Sequence, residues 1–262
     1  MNKQTFKRSL AKLSVGKYRQ GLIILNYHSV CPGHNFSLPP EEFAKQMEYL
    51  RDNFSVIPLK GLDDLATTDL SVAITFDDGY EDNYLYAYPV LKHLNLPATI
   101  FVTTGFVLHG LNIARDWPEY RGLAPLKPEQ LKEMAGNNIS FGSHGRTHAR
   151  ASDLNQESFS AELASSRHDL ESLGISPIGY AFPFGQAKDR PNWAPGLIKE
   201  SGYNLACGTD WGLNQQPFNR FNLKRIRIDH FDTLNDFQSK LSGRWDFIRH
   251  FQAFRKLWPR KS

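Results

Sequence analysis

The sequence predicts an α/β fold, a parallel sheet of seven strands closed or nearly closed into a barrel and built as one domain. Short apolar runs alternate with amphipathic segments along the chain, which is typical of parallel strands joined by helices. The length of 262 residues suits a single α/β barrel. Polar residues capable of chemistry follow several apolar runs, at the strand ends where such barrels place their active sites. No internal repeat or low-complexity linker divides the chain.

Seven runs are expected to form the strands: LIILNYH (22–28), SVAITF (71–76), ATIFVTT (98–104), ISFGSH (139–144), IGYAF (178–182), NLACG (204–208) and LKRIRI (223–228). Helical segments lie between them. The segment PPEEFAKQMEYLRDN begins with prolines and acids, a typical helix start. The segment ESFSAELASSRHDLESLG places Phe159, Leu163 and Leu170 near the helical period and ends at Gly174. Two shorter segments, PEQLKEMAGNN and PGLIKESGYN, end in the same way.

The charge distribution separates three regions of the chain. Residues 1–20 carry +6 and residues 244–262 carry +5, which leaves −7 for residues 21–243 of a chain whose net charge is +4. We therefore predict a basic N-terminal segment (1–20), a central domain (21–243) and a basic aromatic C-terminal helix (244–262). Nucleic acid is not an expected partner, because the central domain has no basic groove-facing motif.

Several features predict a cytoplasmic protein. No run is long and apolar enough to cross a bilayer, and the first residues lack the apolar core of a secretory signal. Cys31 and Cys207 are too few for a disulfide framework, which fits a reducing compartment.

The two basic segments also carry apolar residues at helical spacing. Basic helices of this kind bind anionic membrane interfaces, so both termini are predicted to contact the inner membrane peripherally. An equal alternative is that the C-terminal aromatics pack on the barrel. The residues concerned are Phe247, Phe251, Phe254 and Trp258 at one end, and Phe6, Leu10 and Leu13 at the other.

Chemistry-bearing residues follow three of the predicted strands. Asp77 and Asp78 end one strand, His144 ends another and precedes His148, and His28 ends the first. Because the carboxyl ends of barrel strands meet on one face, these side chains are expected to converge. Two imidazoles and a carboxylate suit Zn²⁺, Fe²⁺ or Co²⁺, and a cation offsets the repulsion between adjacent carboxylates.

Two of these stretches, TFDDGY and SHGRTH, resemble the first two motifs of the polysaccharide deacetylases, also called the NodB-homology or carbohydrate esterase family 4 group. The resemblance extends by order and spacing from LNYHSV to RIRID. It implies a distorted barrel and the metal-dependent removal of N- or O-acetyl groups from sugars. The implied cofactor is one divalent ion, with Zn favoured over Fe, Co or Ni, and the implied substrate is a glycan or a lipid-linked amino sugar.

The resemblance also implies roles for individual residues. Asp77 matches the catalytic base, whereas Asp78, His144 and His148 match the metal ligands. YAFPFG resembles the third motif, so the Phe184 N–H is the expected donor to the developing oxyanion.

One departure concerns the arginine that steers the catalytic aspartate in many members, since Ala181 occupies the matching position. Arg225 is predicted to replace it from a neighbouring strand. The loss resembles the exopolysaccharide poly-N-acetylglucosamine deacetylase branch, in which an N-terminal strand supplies the acid histidine. ILNYHSV resembles that strand, so His28 is preferred as the general acid over the late His230 in RIDHFD.

The predicted substrate-binding residues are Trp211, Arg225 and Tyr80. Trp211 either forms a wall of the acetyl pocket or packs at the barrel rim. Two further functions remain open for the chain: a deformylase of a lipid-linked amino sugar, since formyl and acetyl differ by one methyl, and a non-catalytic carbohydrate-binding relic. The intact aspartates and histidines favour an enzyme.

Overall fold

The computed structural model describes residues 3–16, 18, 20–62, 70–115 and 121–256. Its strands are β1 (Gly21–Tyr27), β2 (Ser55–Val56), β3 (Leu70–Phe76), β4 (Ala98–Val102), β5 (Ile139–Ser143), β6 (Tyr180–Ala181), β7 (Ala206–Cys207) and β8 (Ile226–Arg227). Its α-helices are α1 (Lys3–Leu13), α2 (Pro40–Asn53), α3 (Tyr88–His93), α4 (Thr104–His109), α5 (Pro128–Ala135), α6 (Gln156–Ser172), α7 (Ala194–Glu200), α8 (Leu234–Leu241) and α9 (Phe247–Lys256). A single π-helical turn, Asn83–Ala87, precedes α3.

The strands pair in parallel in the order β7-β6-β5-β4-β3-β1-β8, and β2 adds to β3. A parallel bridge joins Cys207 of β7 to Leu223, just before β8. There the N–H of Gly208 donates to the Leu223 carbonyl at 2.8 Å. This junction, which we call the seam, completes the ring. The predicted α/β barrel is confirmed.

The apolar strands are buried on both faces. Leu22 and Ile24 of β1 face the barrel interior beside Ala73 and Phe101, whereas Ile23 belongs to the cluster beneath the surrounding helices. This two-sided burial explains why the strands read as continuous apolar runs rather than as an alternating pattern.

The strands on the β6–β8 side are shorter than the sequence predicts, although their hydrogen bonding continues. The N–H of Ile178 donates to the Phe141 carbonyl, and that of Phe182 donates to the Cys207 carbonyl. Strand β2 has two residues, too few to give a periodic signal in the sequence. The four predicted helices are present as α2, α5, α6 and α7.

Both terminal segments pack on the barrel. Arg8 of α1 forms an ion pair with Asp236 of α8 at 2.5 Å, and the Tyr18 hydroxyl donates to Asp246.

Among the C-terminal aromatics, Trp245 is buried, and Phe247 stacks on it. Phe251 of α9 is 50% exposed. The side chain of Phe254 and the whole of Trp258 lie outside the described residues.

Among the described residues, none of the helices has both the length and the apolar character needed to span a bilayer.

Candidate metal centre and active site

A cavity of about 540 Å³ opens at the carboxyl ends of the strands. Strand alternation and register place inward-facing polar residues at its base, because β1 and β3 pair Asn26 with Thr75. The side chains that line it include most of the predicted site: His28, Asp77, Asp78, His144, His148, Phe184, Trp211, Arg225 and His230.

The two adjacent aspartates both line this cavity, although successive residues of a strand normally point to opposite faces. The backbone of Asp78 breaks the alternation with a φ of 73°, in the left-handed region that non-glycine residues rarely adopt. His148 and Phe184 also have positive φ, at 59° and 62°. Such conformations cost about 1–3 kcal/mol each and concentrate at functional sites.

Asp78, His144 and His148 form a compact cluster. One ligand atom from each residue lies within 4.8 Å of the others, and all three residues are buried. Oδ1 of Asp78 is 3.5 Å from Nε2 of His144 and 3.3 Å from Nε2 of His148. The Nδ1 of His144 lies 2.8 Å from the Ala181 carbonyl, which orients Nε2 toward Asp78. The structure thus brings together the three residues predicted as ligands.

The donor set fits a divalent ion. The buried Oδ1 of Asp78 forms no hydrogen bond, which is costly for a carboxylate unless a cation satisfies it. Burial lowers the pKa of His144 to about 4, so its imidazole is neutral at physiological pH, as a metal ligand must be. Burial alone would raise the pKa of Asp78, but its histidine neighbours hold that pKa below the usual range.

Asp77 lies in a complete hydrogen-bond network. Arg225 binds it with two parallel bonds, Nη1 to Oδ1 at 2.7 Å and Nη2 to Oδ2 at 2.6 Å. Asn26 adds a third bond, from Nδ2 to Oδ2 at 2.7 Å. Two further Arg225 donors reach the Gly208 carbonyl at 2.8 Å and the Thr75 hydroxyl at 3.3 Å. The predicted replacement of the missing motif-three arginine is therefore present as a direct contact.

The charge of Arg225 also fixes the protonation state of Asp77. Burial by itself would raise the pKa of Asp77, but the adjacent guanidinium outweighs it and holds that pKa below its ordinary value. Asp77 is ionised at neutral pH.

Both candidate general acids line the cavity, in different electrostatic surroundings. Burial lowers the pKa of His28, and the charges of Asp78 and Asp77 partly oppose this effect. Burial also lowers the pKa of His230, but its charged neighbours are Asp229 and Arg227. Of these two histidines, His28 is the one whose pKa is influenced by both Asp77 and Asp78.

The structure places Arg225 and Trp211 in the lining of the cavity and does not place Tyr80 there. Tyr80 is buried and packs edge-on against Phe106, away from the cavity, because the Gly79 turn (φ 86°) directs it beneath α4. The Arg225 side chain is fully buried at the cavity, and its bonds to Asp77 orient that carboxylate. Trp211 does line the cavity, with its N–H groups bound to Gln252 and Asp246.

Sequence reasoning missed two polar residues that contact this site. Asn26 is a polar residue on the inward-facing register of an otherwise apolar strand, which is a usable signal in retrospect. Glu162 lies within α6 and contacts the loop between His144 and His148. Nothing in the local sequence distinguishes Glu162 from a solvent-exposed helix residue.

The fold matches that of NodB-type deacetylases, and the comparisons with known proteins assign the chain to a family. The chain belongs to the polysaccharide deacetylase family, whose model matches residues 64–203. That match includes Asp77, Asp78, His144, His148 and Phe184, and ends before Trp211 and Arg225.

Relatives extend the likeness beyond this range. YxkH of Bacillus subtilis, whose assignment as a polysaccharide deacetylase is itself provisional, is 30% identical over 214 residues, covering 79% of this chain and 71% of YxkH. The poly-β-1,6-N-acetyl-D-glucosamine N-deacetylase of Staphylococcus aureus is 24% identical, covering 88% of this chain and 85% of that protein.

Solved structures share the fold. BC0361, a polysaccharide deacetylase from Bacillus cereus, aligns with a TM-score of 0.71 and 25% identity over 86% of this chain and 70% of that one. IcaB from Ammonifex degensii aligns with a TM-score of 0.72 and 22% identity over 86% and 97% of the two chains.

Proposed function

We propose that this protein is a metal-dependent deacetylase that removes the acetyl group from an N-acetylated amino sugar of a glycan or lipid-linked saccharide. The observation that carries the proposal is the buried Asp78–His144–His148 cluster directly beside Asp77, an ionised carboxylate with fixed orientation. A ligand set and a base on adjacent residues suit hydrolysis of an amide by metal-bound water.

The substrate class rests on the cavity and on the relatives. The cavity combines Trp211 and the 42% exposed Phe36 with polar Gln186 and Asp229, a combination that suits the apolar faces and hydroxyl edges of a sugar ring. Similarity to the staphylococcal N-deacetylase favours an N-acetyl over an O-acetyl group.

In the proposed mechanism, Asp78, His144 and His148 would hold the ion. A divalent ion there would supply Lewis acidity and lower the pKa of water toward about 7. Asp77 accepts the proton of the attacking water. Its three hydrogen bonds from Arg225 and Asn26 leave Oδ1 one lone pair for that proton. The Phe184 N–H donates to the developing oxyanion, and His28 protonates the leaving amine.

The test pairs metal analysis with acetate release from a panel of amino-sugar substrates. Asp78→Ala should lose both the metal and the activity, because a ligand is removed. Asp77→Asn should lose activity but keep the metal, because a base is removed and the ligands remain. Full metal retention and turnover in Asp78→Ala would refute the assignment.

The same assay separates the alternatives. Release of formate rather than acetate would identify a deformylase, and sugar binding without release of either acid would identify a carbohydrate-binding relic. The intact cluster and the paired Asp77 favour turnover.

We also propose peripheral contact of the basic termini with anionic membrane. The exposed Phe6 and Phe251 lie on α1 and α9, the two helices of the most basic segments. Full-length protein should sediment with anionic liposomes at low salt and less at high salt. The double variant Arg249→Glu/Phe251→Ser should sediment less at low salt. The proposal would be contradicted if the wild-type protein and the double variant each co-sedimented to the same extent with neutral and with anionic liposomes.

A further inference from the structure

The loop between the two histidines has an unusual backbone. Gly145 and His148 both have positive φ, at 78° and 59°, so the chain reverses within three residues. The reversal brings the imidazoles of His144 and His148 to a centroid separation of 5.1 Å. A loop this short and this strained holds its shape only if neighbouring groups fix it.

Glu162 of α6 is the main group that does so. Its Oε2 accepts hydrogen bonds from the backbone N–H of Arg146 at 2.8 Å and of Thr147 at 3.0 Å. Its Oε1 accepts a third from the Thr147 hydroxyl at 2.8 Å. One carboxylate thus binds both residues at the turn of the loop with charge-assisted bonds, which are roughly twice as strong as neutral ones.

The helix that carries Glu162 is anchored to the same region at two further points. The Ser143 hydroxyl donates to Ser166 at 2.7 Å, and Arg146 forms an ion pair with Asp169 at 3.4 Å. From the other side, the Arg146 carbonyl accepts the N–H of Gly105 at 2.9 Å, so α4 closes over the loop. The loop is held between two helices, and Glu162 supplies its backbone bonds to α6.

We propose that Glu162 is a positioning residue for the metal centre, setting the relative placement of His144 and His148 through the loop backbone and thereby the affinity and coordination geometry of the ion. The inference rests on the proposed metal site. Outer partners of ligands typically change metal affinity by about 10- to 100-fold.

Two substitutions at this position separate positioning from mere helix stability. In Glu162→Gln the amide oxygen still accepts both backbone N–H groups, and the NH₂ donates to the Thr147 hydroxyl. In Glu162→Leu all three bonds are lost. Glu171→Leu is the matched control, since Glu171 lies on the same helix with a half-exposed side chain paired only with Arg167 among its described contacts.

The measurement uses Zn²⁺ alone, titrated in competition with a chromophoric chelator, and Co²⁺ alone, monitored by its visible absorption. Glu162→Leu should weaken Zn²⁺ binding about 10- to 100-fold and change the Co²⁺ spectrum. Glu162→Gln should recover most of the affinity and the wild-type spectrum, and Glu171→Leu should match wild type in both. If Glu162→Leu does not fold, Glu162→Asp replaces it, because the shorter side chain cannot reach the loop.

Wild-type affinity and an unchanged Co²⁺ spectrum in Glu162→Leu, or in Glu162→Asp where that is used, would overturn the inference. Equal losses in Glu162→Leu and Glu171→Leu would overturn it as well, because the effect would then belong to the helix as a whole. Failure of the wild-type protein itself to bind either metal is a different result, and it would contradict the proposed function.

Discussion

Two neighbouring carboxylates, Asp77 and Asp78, differ in the hydrogen bonds that the protein donates to them. Asp77 receives two bonds from Arg225 and one from Asn26. The carboxylate of Asp78 faces the imidazoles of His144 and His148, and its Oδ1 forms no hydrogen bond. Both are buried, so the difference is not one of solvent access.

This difference fits the roles proposed for the two groups. The proposed base, Asp77, needs one orientation whether or not an ion is bound, and Arg225 supplies its counter-charge permanently. The proposed ligand, Asp78, needs a lone pair directed at the ion, and its Oδ1 accepts no hydrogen bond. Replacing Arg225 should therefore act chiefly on stability, and replacing Asp78 should act chiefly on metal binding.

The largest effect is expected from Arg225→Met. It leaves Asp77 buried without its counter-charge, which should cost about 3–5 kcal/mol of unfolding free energy and abolish turnover. Urea denaturation in the presence of a chelator measures the stability term. The neighbouring Arg227→Met is the control, because its 55% exposed side chain pairs with Asp229 and should change stability by less than about 1 kcal/mol. Similar small losses in both variants would mean that the Asp77 network is not essential to the fold.

His28 is expected to give the next largest effect, because it alone of the two candidate acids is influenced by both aspartates. His28→Ala should lower kcat by about 10²- to 10⁴-fold, the usual contribution of a positioned acid. His230→Ala should change kcat much less. Steady-state kinetics on the same substrate decides between them, and a large loss in His230→Ala with near-normal His28→Ala would reverse the assignment.

The smallest effect is expected from a substitution of Asp78, the proposed metal ligand. Metal at 100 times its Kd should raise the unfolding free energy of the wild-type protein by about 2.7 kcal/mol. Asp78→Asn should lose that increment, because a ligand carboxylate is removed. The metal-free variant should also be less stable than metal-free wild type at neutral pH, because the histidine neighbours that hold the pKa of Asp78 below its usual range stabilise its ionised form in the folded protein. Thermal or urea unfolding with and without Zn²⁺ measures both terms. Equal stabilisation of the variant and the wild type by Zn²⁺ would contradict the ligand role.

Sequence reasoning reached the barrel and the cluster because both depend on features local in the chain. The strands are long apolar runs, and Asp78, His144 and His148 follow strand ends that parallel pairing must bring together. Asp77 follows the carboxyl end of β3, whereas Arg225 lies just before β8, so the strand-end rule does not predict their contact. That prediction came from the resemblance, which left the position of a steering arginine to be filled.

Sequence position is a poor guide where tertiary geometry decides the contacts. Tyr80 follows the aspartates by two residues, but the turn at Gly79 takes its ring to Phe106. The burial of the whole Arg225 side chain is likewise invisible in the sequence. Glu162 was missed because its partners, Arg146 and Thr147, are reached only when α6 packs across the loop. The roles of the site residues, the domain boundaries and the membrane contact stay predictions.

The seam of the barrel has a consequence for local motion. Strands β1 and β3 pair over seven residues, whereas β7 meets the segment before β8 through an isolated bridge at Cys207 and Leu223 and neighbouring backbone hydrogen bonds. Arg225 spans this junction, since Nε binds the Gly208 carbonyl while Nη1 and Nη2 bind Asp77. Any opening of the ring at the seam would therefore also disturb the contacts that hold the Asp77 carboxylate. The amide protons of Gly208 and Leu223 should exchange with solvent faster than those of β1 and β3. Their exchange rate would report how often the seam opens and Asp77 loses its contacts with Arg225.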